Sequence, residues 1–339
     1  MRRIRVNDIL SSEAFSVHRP VNEPLFPNLK SLELWYATGE SAQFIPSFLS
    51  PRTTTISIEF AEPSVHPDAM VASMVTTLPT LCPNLQEITL YTLPKHPTTT
   101  AAVSGMLLAS NRNTLRSLHI DSPLTEEALE VICELPNLRE LTVFIEGDTS
   151  LPTLVLPNLT NLTVEYNQCS DWLKGFPGAT LGKLETITFH FEFEQIGDFL
   201  EEFRNVALAT RIQNALAGFS LSTSRSWIPN YSSLLPFTQP THLLIEFSCD
   251  DGCSSTVDDD IITALARAMP RLQSLELGNP PCSEIPTGVT VKGLTALAHH
   301  CPDLSTLRVH FKWIASVTHQ RSIWWLPILG PLHCRGVAL

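Results

Sequence analysis

Cations are scarce in this 339-residue chain: 22 Lys and Arg stand against 34 Asp and Glu, a formal net charge of −12. An acidic chain repels phosphate backbones, so nucleic acid is not the expected partner and a basic protein segment is. Long apolar runs are missing too. No stretch reaches the roughly 18 residues that a membrane span needs, and the most apolar one, 323–329, is interrupted by Pro327. The basic start, Met1 to Arg5, is followed by Asn7, Asp8, Ser11 and Glu13 rather than by an apolar core, so no signal peptide is read. Paired cysteine spacings are lacking, apart from Cys249 and Cys253. The eight cysteines read as reduced, mostly buried thiols of a cytoplasmic or nuclear protein. Neither G-x-S-x-G nor H-E-x-x-H occurs, which leaves no familiar hydrolase signature. The 43% hydrophobic and 17% charged fractions still allow a large core.

What the chain does have is a repeat. Leu29-Lys-Ser-Leu-Glu-Leu34 recurs at Leu85–Leu90, Leu115–Ile120, Leu138–Val143, Leu159–Val164, Leu184–Phe189, Leu272–Leu277 and Leu304–Val309. Weaker copies end at Ile58, Leu221 and Ile245, so L-x-x-L-x-L appears eleven times, spaced by 21 to 32 residues. Alternation with period two makes a short strand with one buried face. One strand cannot cover its own leucines, so successive repeats must stack. The expected fold is α/β: a leucine-rich-repeat solenoid, or horseshoe, with a parallel concave sheet and helices or loops on the convex face.

The return segments fit that reading. Helices are expected over 124–135 behind an N-cap threonine, over 257–268 with an acidic start, and over 291–300. Helices are also expected over 68–78, 101–109 and 195–206. Pro79, Pro83, Pro136, Pro270 and Pro302 are expected to stop helices before the next strand. The repeats near 141–187 are too short for a full helix.

Leu297-Ala-His-His-Cys-Pro-Asp-Leu-Ser-Thr-Leu-Arg-Val309 and Leu81-Cys-Pro-Asn-Leu-Gln-Glu-Ile-Thr-Leu90 resemble the cysteine-containing leucine-rich repeat of F-box proteins. The span 26–312 resembles the repeat region of fungal F-box proteins. That resemblance implies the substrate-holding part of an SCF-type ubiquitin ligase. The F-box itself, a helical module of about 45 residues, finds no match here, and residues 1–26 are too few for it. The chain is thus expected to be a fragment or an F-box-less paralogue, meeting the SCF adaptor only if the full-length product carries an F-box. A stand-alone scaffold is the alternative; a hydrolase in the 191–240 loops, near Trp227, Tyr231 and His242, is a more remote one. The expected organisation is an N-terminal cap over 1–26, a repeat domain over 27–314 and a divergent tail over 315–339.

No cofactor or metal is expected. Cys249-Asp-Asp-Gly-Cys253 lacks the second ligand pair of a zinc site. Asp258 to Asp260 lack the glycine and glutamate of a calcium loop and suit a helix cap. Gly175 to Lys183 has the wrong spacing for a phosphate loop, and Leu184 replaces its Ser or Thr. His299, His300 and Cys301 are neighbours on a helix and do not face one another across a cleft. The informative surface is the sheet face opposite the leucines, where eight acids meet one arginine, Arg308. Its partner-binding candidates are Trp35, Glu59, Tyr91, Asp121, Phe144, Glu165 and His190, with aromatic anchors beside acids that steer a basic partner.

Overall fold

The computed structural model describes residues 3–6, 24–37, 42–61, 68–93, 96–109, 113–145, 153–166, 179, 181–191, 199–210, 212–223, 230–247, 257–278 and 288–309. Within the span read as one repeat domain, the chain divides into two compact units, Met1–Leu184 and Glu185–Leu339. We call them unit 1 and unit 2.

Among its described residues unit 1 holds seven strands: β1 (Arg3–Val6), β2 (Ser31–Ala37), β3 (Thr55–Phe60), β4 (Glu87–Tyr91), β5 (Ser117–Pro123), β6 (Glu140–Ile145) and β7 (Asn161–Tyr166). Each pairs in parallel with the next in sequence. Unit 2 repeats the pattern with β8 (Thr186–Phe191), β9 (Gly218–Thr223), β10 (His242–Phe247), β11 (Ser274–Leu277) and β12 (Thr306–Val309). Parallel neighbours in unbroken sequence order, one strand per repeat, make each unit solenoid-like.

Register follows from the leucines. Leu32, Ile56, Ile88, Leu118, Leu141 and Leu162 face one another as one column in unit 1, and none is more than 3% exposed. Ile187, Phe219, Leu243, Leu275 and Leu307 form the matching column of unit 2. A slip of one residue would turn a whole column to the opposite face, and each fully buried aliphatic side chain contributes about 1.5–3 kcal/mol, so the register is strongly specified. Just before most strands a carbonyl of the previous rung accepts two backbone N–H groups of the next. Lys30 O takes Thr54 N and Thr55 N at 2.9 and 3.1 Å; Thr241 O takes Gln273 N and Ser274 N at 2.7 and 2.9 Å.

Among the described residues six helices return the chain: α1 (Asp68–Leu81), α2 (Pro97–Ala109), α3 (Glu126–Cys133), α4 (Phe199–Thr210), α5 (Asp259–Ala268) and α6 (Val291–His300). Thr125 caps α3 by accepting from Ala128 N, and Asp258 caps α5 by accepting from Asp260 N and Ile261 N, so the Asp258 to Asp260 run is a cap as its residues imply. Pro97 opens α2, where its missing N–H costs nothing. Pro83, Pro136, Pro270 and Pro302 follow helix ends. Pro79 does not stop α1 but lies inside it. It falls in the last turn, where it forfeits only its own bond to the Val75 carbonyl. Between β6 and β7 no helix occurs among the described residues.

The cysteines behind the repeat have a definite task. The buried Cys301 thiol caps the end of α6 in sequence and donates to the Ala266 and Met269 carbonyls at 3.6 and 3.5 Å, at the end of the preceding helix α5. Carbonyls at a helix end have no partner within the helix, and the thiol supplies one. Burial pushes the Cys301 thiol up to about 11, Cys82 to about 11 and Cys133 to about 12. Asparagines link the rungs on the opposite side of the turn: Asn84 Nδ2 donates to Pro51 O at 3.2 Å, and Asn137 Nδ2 to Asn113 O and Asn158 Nδ2 to Pro136 O, both at 2.8 Å.

The expected N-terminal cap contributes a strand of its own. β1 pairs with β2, Arg3 opposite Ser31 and Arg5 opposite Glu33. Arg-Ile-Arg-Val alternates correctly but has no Leu framework, which is why the repeat pattern passes over it.

Candidate functional site

The strand residues between the buried columns form the second, open face of each sheet. In unit 1 the last open position of each strand carries the expected row. Trp35 on β2 is 41% exposed, next to a register shift between Leu34 and Ala37. Glu59 stands opposite Tyr91 across β3 and β4, and both are half-buried. The Tyr91 ring packs on His119 of β5, with centroids 4.4 Å apart and planes tilted by 60°. Asp121, half-buried on β5, accepts from the Thr92 amide at 2.6 Å. Burial raises the Tyr91 phenol above its ordinary range, and the carboxylates of Asp121, Glu165 and Glu59 raise it further. Three carboxylates from three different strands thus act on one phenol. Burial also holds the His119 imidazole below its usual value, so that ring is neutral beside them.

Thr92 adopts a φ of 56° directly after Tyr91, a left-handed conformation that is strained for a β-branched residue. The Asp121 carboxylate on its amide holds the chain in that turn. Thr92→Gly should relieve the strain and raise the thermal midpoint, by an amount equivalent to up to about 1 kcal/mol. A lower midpoint would mean that the threonine side chain itself contributes.

Phe144 does not belong to this exposed row. It is 5% exposed, and Ile145 beside it is 1% exposed. A register shift between Ile120 and Pro123 of β5 brings Pro123 opposite Phe144, and on its other side Phe144 meets Glu165 of β7. With strands on both flanks and an irregular rung beside it, the ring is part of the packing. Period-two reading cannot anticipate this, because it assumes an unbroken ladder.

His190 lies in unit 2. It is exposed, and its Nδ1 makes a short hydrogen bond to Ser222 Oγ, directly opposite on β9. Burial lowers the His190 pKa while Glu246 raises it. The sequence reading did not find this Ser–His pair, because its two members are joined only by the register of β8 and β9. The amides of the two strands are committed to the ladder and offer it no oxyanion donors. Arg308 bridges Glu246 at 3.2 Å and Glu276 at 3.4 Å, one cation shared between two carboxylates of neighbouring strands.

Tyr231 is 2% exposed, and burial pushes its phenol far up, while His242 is exposed and its ring meets the hydroxyl of its sequence neighbour Thr241 at 2.8 Å. The His299 and His300 rings stack edge-on at 4.8 Å, away from any thiolate, the Cys301 thiol being bonded to carbonyls. Among the described residues no group of three or more His, Cys, Asp or Glu could hold a metal ion, and no helix is long and apolar enough to cross a membrane. Trp227, the Cys249–Cys253 loop, most of the Gly175–Lys183 loop and the tail 315–339 fall outside the described residues.

No protein-family model matches the chain, and no curated protein matches it significantly. Among solved structures the chain is similar to the complex of Rad7 and Elc1 in yeast, at 17% identity over 75% of this chain and 72% of that one, with a TM-score of 0.42. A likeness this low does not bear on function.

Proposed function

We propose that the chain is a protein-binding repeat module whose open sheet face holds a protein partner, and that it is not an enzyme. The observation that carries this reading is the row Glu59, Tyr91, Asp121 and Glu165. One side chain per strand, at one height on successive or alternate strands, gives a continuous polar surface with an aromatic anchor. Two further features support a binder. The buried thiols are pushed away from the thiolate form that catalysis uses, and the amides of the strands carrying Ser222 and His190 are committed to the ladder rather than aimed at an oxyanion. The finer proposal, which rests on the repeat resemblance, is a cytoplasmic or nuclear substrate receptor of an SCF-type ubiquitin ligase.

The test is site-specific photo-cross-linking in cells. A benzophenone amino acid replaces Thr89 or Thr163 on the open face, or Glu130 on the outer side of α3. The proposal expects adducts to one protein from the two face positions and none from Glu130. Adducts from Glu130 alone would place the partner elsewhere. Co-purification of the full-length product with the SCF adaptor separates a ligase receptor from a stand-alone scaffold.

A further inference from the structure

The turns that lead into the strands of unit 1 are built alike. Pro-Asn-Leu stands at 27–29, 83–85, 136–138 and 157–159. The backbones stack rung on rung: Lys30 O accepts from Thr54 N, Thr54 O from Gln86 N, Gln86 O from Arg116 N and Arg116 O from Arg139 N. Because the strands are parallel, these turns share one margin of the sheet. From residue 24 onward, every Lys and Arg among the described residues of unit 1 lies there: Lys30, Arg52, Arg116, Arg139 and Lys183, all exposed. No Asp or Glu occurs in the same turns, 26–30, 51–54, 83–86, 113–116, 136–139, 157–160 and 181–184. In unit 2 the turns before β10 to β12 carry one charge of each sign, Arg271 and Asp303.

None of these five cations forms an ion pair among the described residues. Two are held by neutral amides instead. Arg52 Nη1 donates to Asn28 Oδ1 at 2.6 Å and Lys183 Nζ to Asn158 Oδ1 at 2.7 Å, so each keeps its charge while its head is fixed against the neighbouring rung. Glu87 and Glu140 border the margin as the first residues of β4 and β6, and their carboxylates accept from Thr55 Oγ1 at 3.1 Å and Ser117 Oγ at 3.0 Å. Four of the cations fall in pairs: Lys30 and Arg52 lead into the neighbouring β2 and β3, Arg116 and Arg139 into the neighbouring β5 and β6. At about 4.8 Å between strands, the pairs are centred roughly 14 Å apart. That exceeds the distance over which salt screens a charge, near 8 Å at physiological ionic strength, so one carboxylate or one inorganic phosphate serves one pair only. An extended chain advances about 3.3 Å per residue, so acids roughly four residues apart reach both pairs. A nucleic-acid backbone brings a charge at every step, past Glu87 and Glu140 as well, whereas a polypeptide can set a neutral residue there.

We infer that this margin of unit 1 docks an acidic, extended segment of a protein partner, one carboxylate seated at Lys30 and Arg52 and another at Arg116 and Arg139. Three of these four cations are arginines, whose planar fork meets a carboxylate through two parallel hydrogen bonds. The surface is separate from the open face and does not depend on the reading of that face. Affinity falls with each cation removed from the margin and with rising salt, and it is indifferent to cations elsewhere.

The probes are fluorescein-labelled: Glu-Ser-Gly-Ser repeated four times, the same peptide with every Glu replaced by Gln, and an oligothymidylate of similar length. Binding to the whole chain is followed by anisotropy at about 50 and about 300 mM NaCl. At low salt the Glu peptide should bind at least about tenfold more tightly than the Gln peptide, and the difference should shrink at high salt. R116Q/R139Q should remove most of that preference, and so should K30Q/R52Q, because a segment held at one pair loses its second anchor. The charge-matched pair R204Q/R267Q, on α4 and α5 of unit 2, should leave it within about twofold. Circular dichroism confirms that each variant is folded, and either margin pair suffices if the other does not fold. Equal binding of the Glu and Gln peptides overturns the inference, as does absence of binding. So does an equal loss in R204Q/R267Q, which would report net charge alone. Tighter binding of the oligothymidylate than of the Glu peptide, lost in R116Q/R139Q, would assign the margin to nucleic acid and overturn the inference as well. The cross-linking from Thr89 and Thr163 decides the open-face reading separately.

Discussion

Phe203→Ala should destabilise unit 2 by about 4 kcal/mol, within the roughly 3–5 kcal/mol seen when a core phenylalanine is truncated. The side chain is fully buried on α4. Its ring meets Phe189 edge-on at 5.4 Å, Phe219 at 5.3 Å, Phe237 in a parallel stack at 5.5 Å and Phe199 at 6.1 Å. One helix residue thus joins rings from β8, from β9 and from the segment before β10. Aromatic pairs of this geometry contribute about 0.5–1.5 kcal/mol beyond their buried area, and truncation removes several together. Phe203→Leu keeps most of the volume and should cost much less, about 1–2 kcal/mol. Urea unfolding with hydrogen exchange on the β8 to β10 amides measures both. A Phe203→Ala protein with wild-type protection on those strands would show that the cluster tolerates a cavity.

The second large effect concerns a carboxylate that crosses from one repeat to the next. Asp259, in the first turn of α5, accepts from Thr290 N at 2.7 Å, Thr290 Oγ1 at 2.6 Å and Gly293 N at 2.9 Å, satisfying the start of α6. A Cβ on Gly293 would lie 2.6 Å from Asp259 Oδ1 and 3.4 Å from Ile262 Cγ2. Gly293→Ala must therefore displace the carboxylate and should cost about 2 kcal/mol, although alanine is intrinsically the better helix former. Asp259→Ala should cost a similar amount. In the Asp259→Ala background the glycine substitution should become neutral or stabilising, so the two losses will not add. Additive losses would show that Gly293 matters for some reason other than this carboxylate.

The same node has a pH signature. Burial by itself would raise the Asp259 pKa, but the Thr290 hydroxyl, the Thr290 and Gly293 amides and the Lys292 ammonium outweigh it and hold the carboxyl below the ordinary aspartate value. A carboxyl depressed in the folded state contributes stability that is complete above its unfolded pKa, near 4, and is lost as pH falls through the folded one. The stability difference between wild type and Asp259→Asn should therefore be constant at neutral pH and shrink below about pH 4.

Much of this architecture is legible in the residues because it rests on period. The Leu32 to Leu162 and Ile187 to Leu307 columns, the Thr125 and Asp258 caps and the Cys301 helix end each follow from local spacing. The misreadings come from contacts that spacing does not encode. β1 pairs with β2 although its sequence lacks the leucine framework. Phe144 is buried because β5 bulges beside it, and Pro79 stays helical because a last turn has few bonds to lose. At the open face the sequence placed Glu59, Tyr91, Asp121 and Glu165 correctly on one side of their strands. It could not show that His119 braces the tyrosine, or that Arg308 bridges Glu246 and Glu276 of two neighbouring strands. Those depend on which rungs are neighbours.

The alternation along most of the strands has a practical outcome. Odd and even residues carry separate duties, the leucine columns supplying cohesion and the intervening side chains meeting the outside. Three adjacent strands then offer about nine variable sites that can be randomised together with little thermodynamic penalty, since surface substitutions usually change stability by within about 0.5 kcal/mol. In laboratory selection or natural drift, this chain could exchange one client for another by rewriting that grid, while the aliphatic frame beneath it stays unaltered.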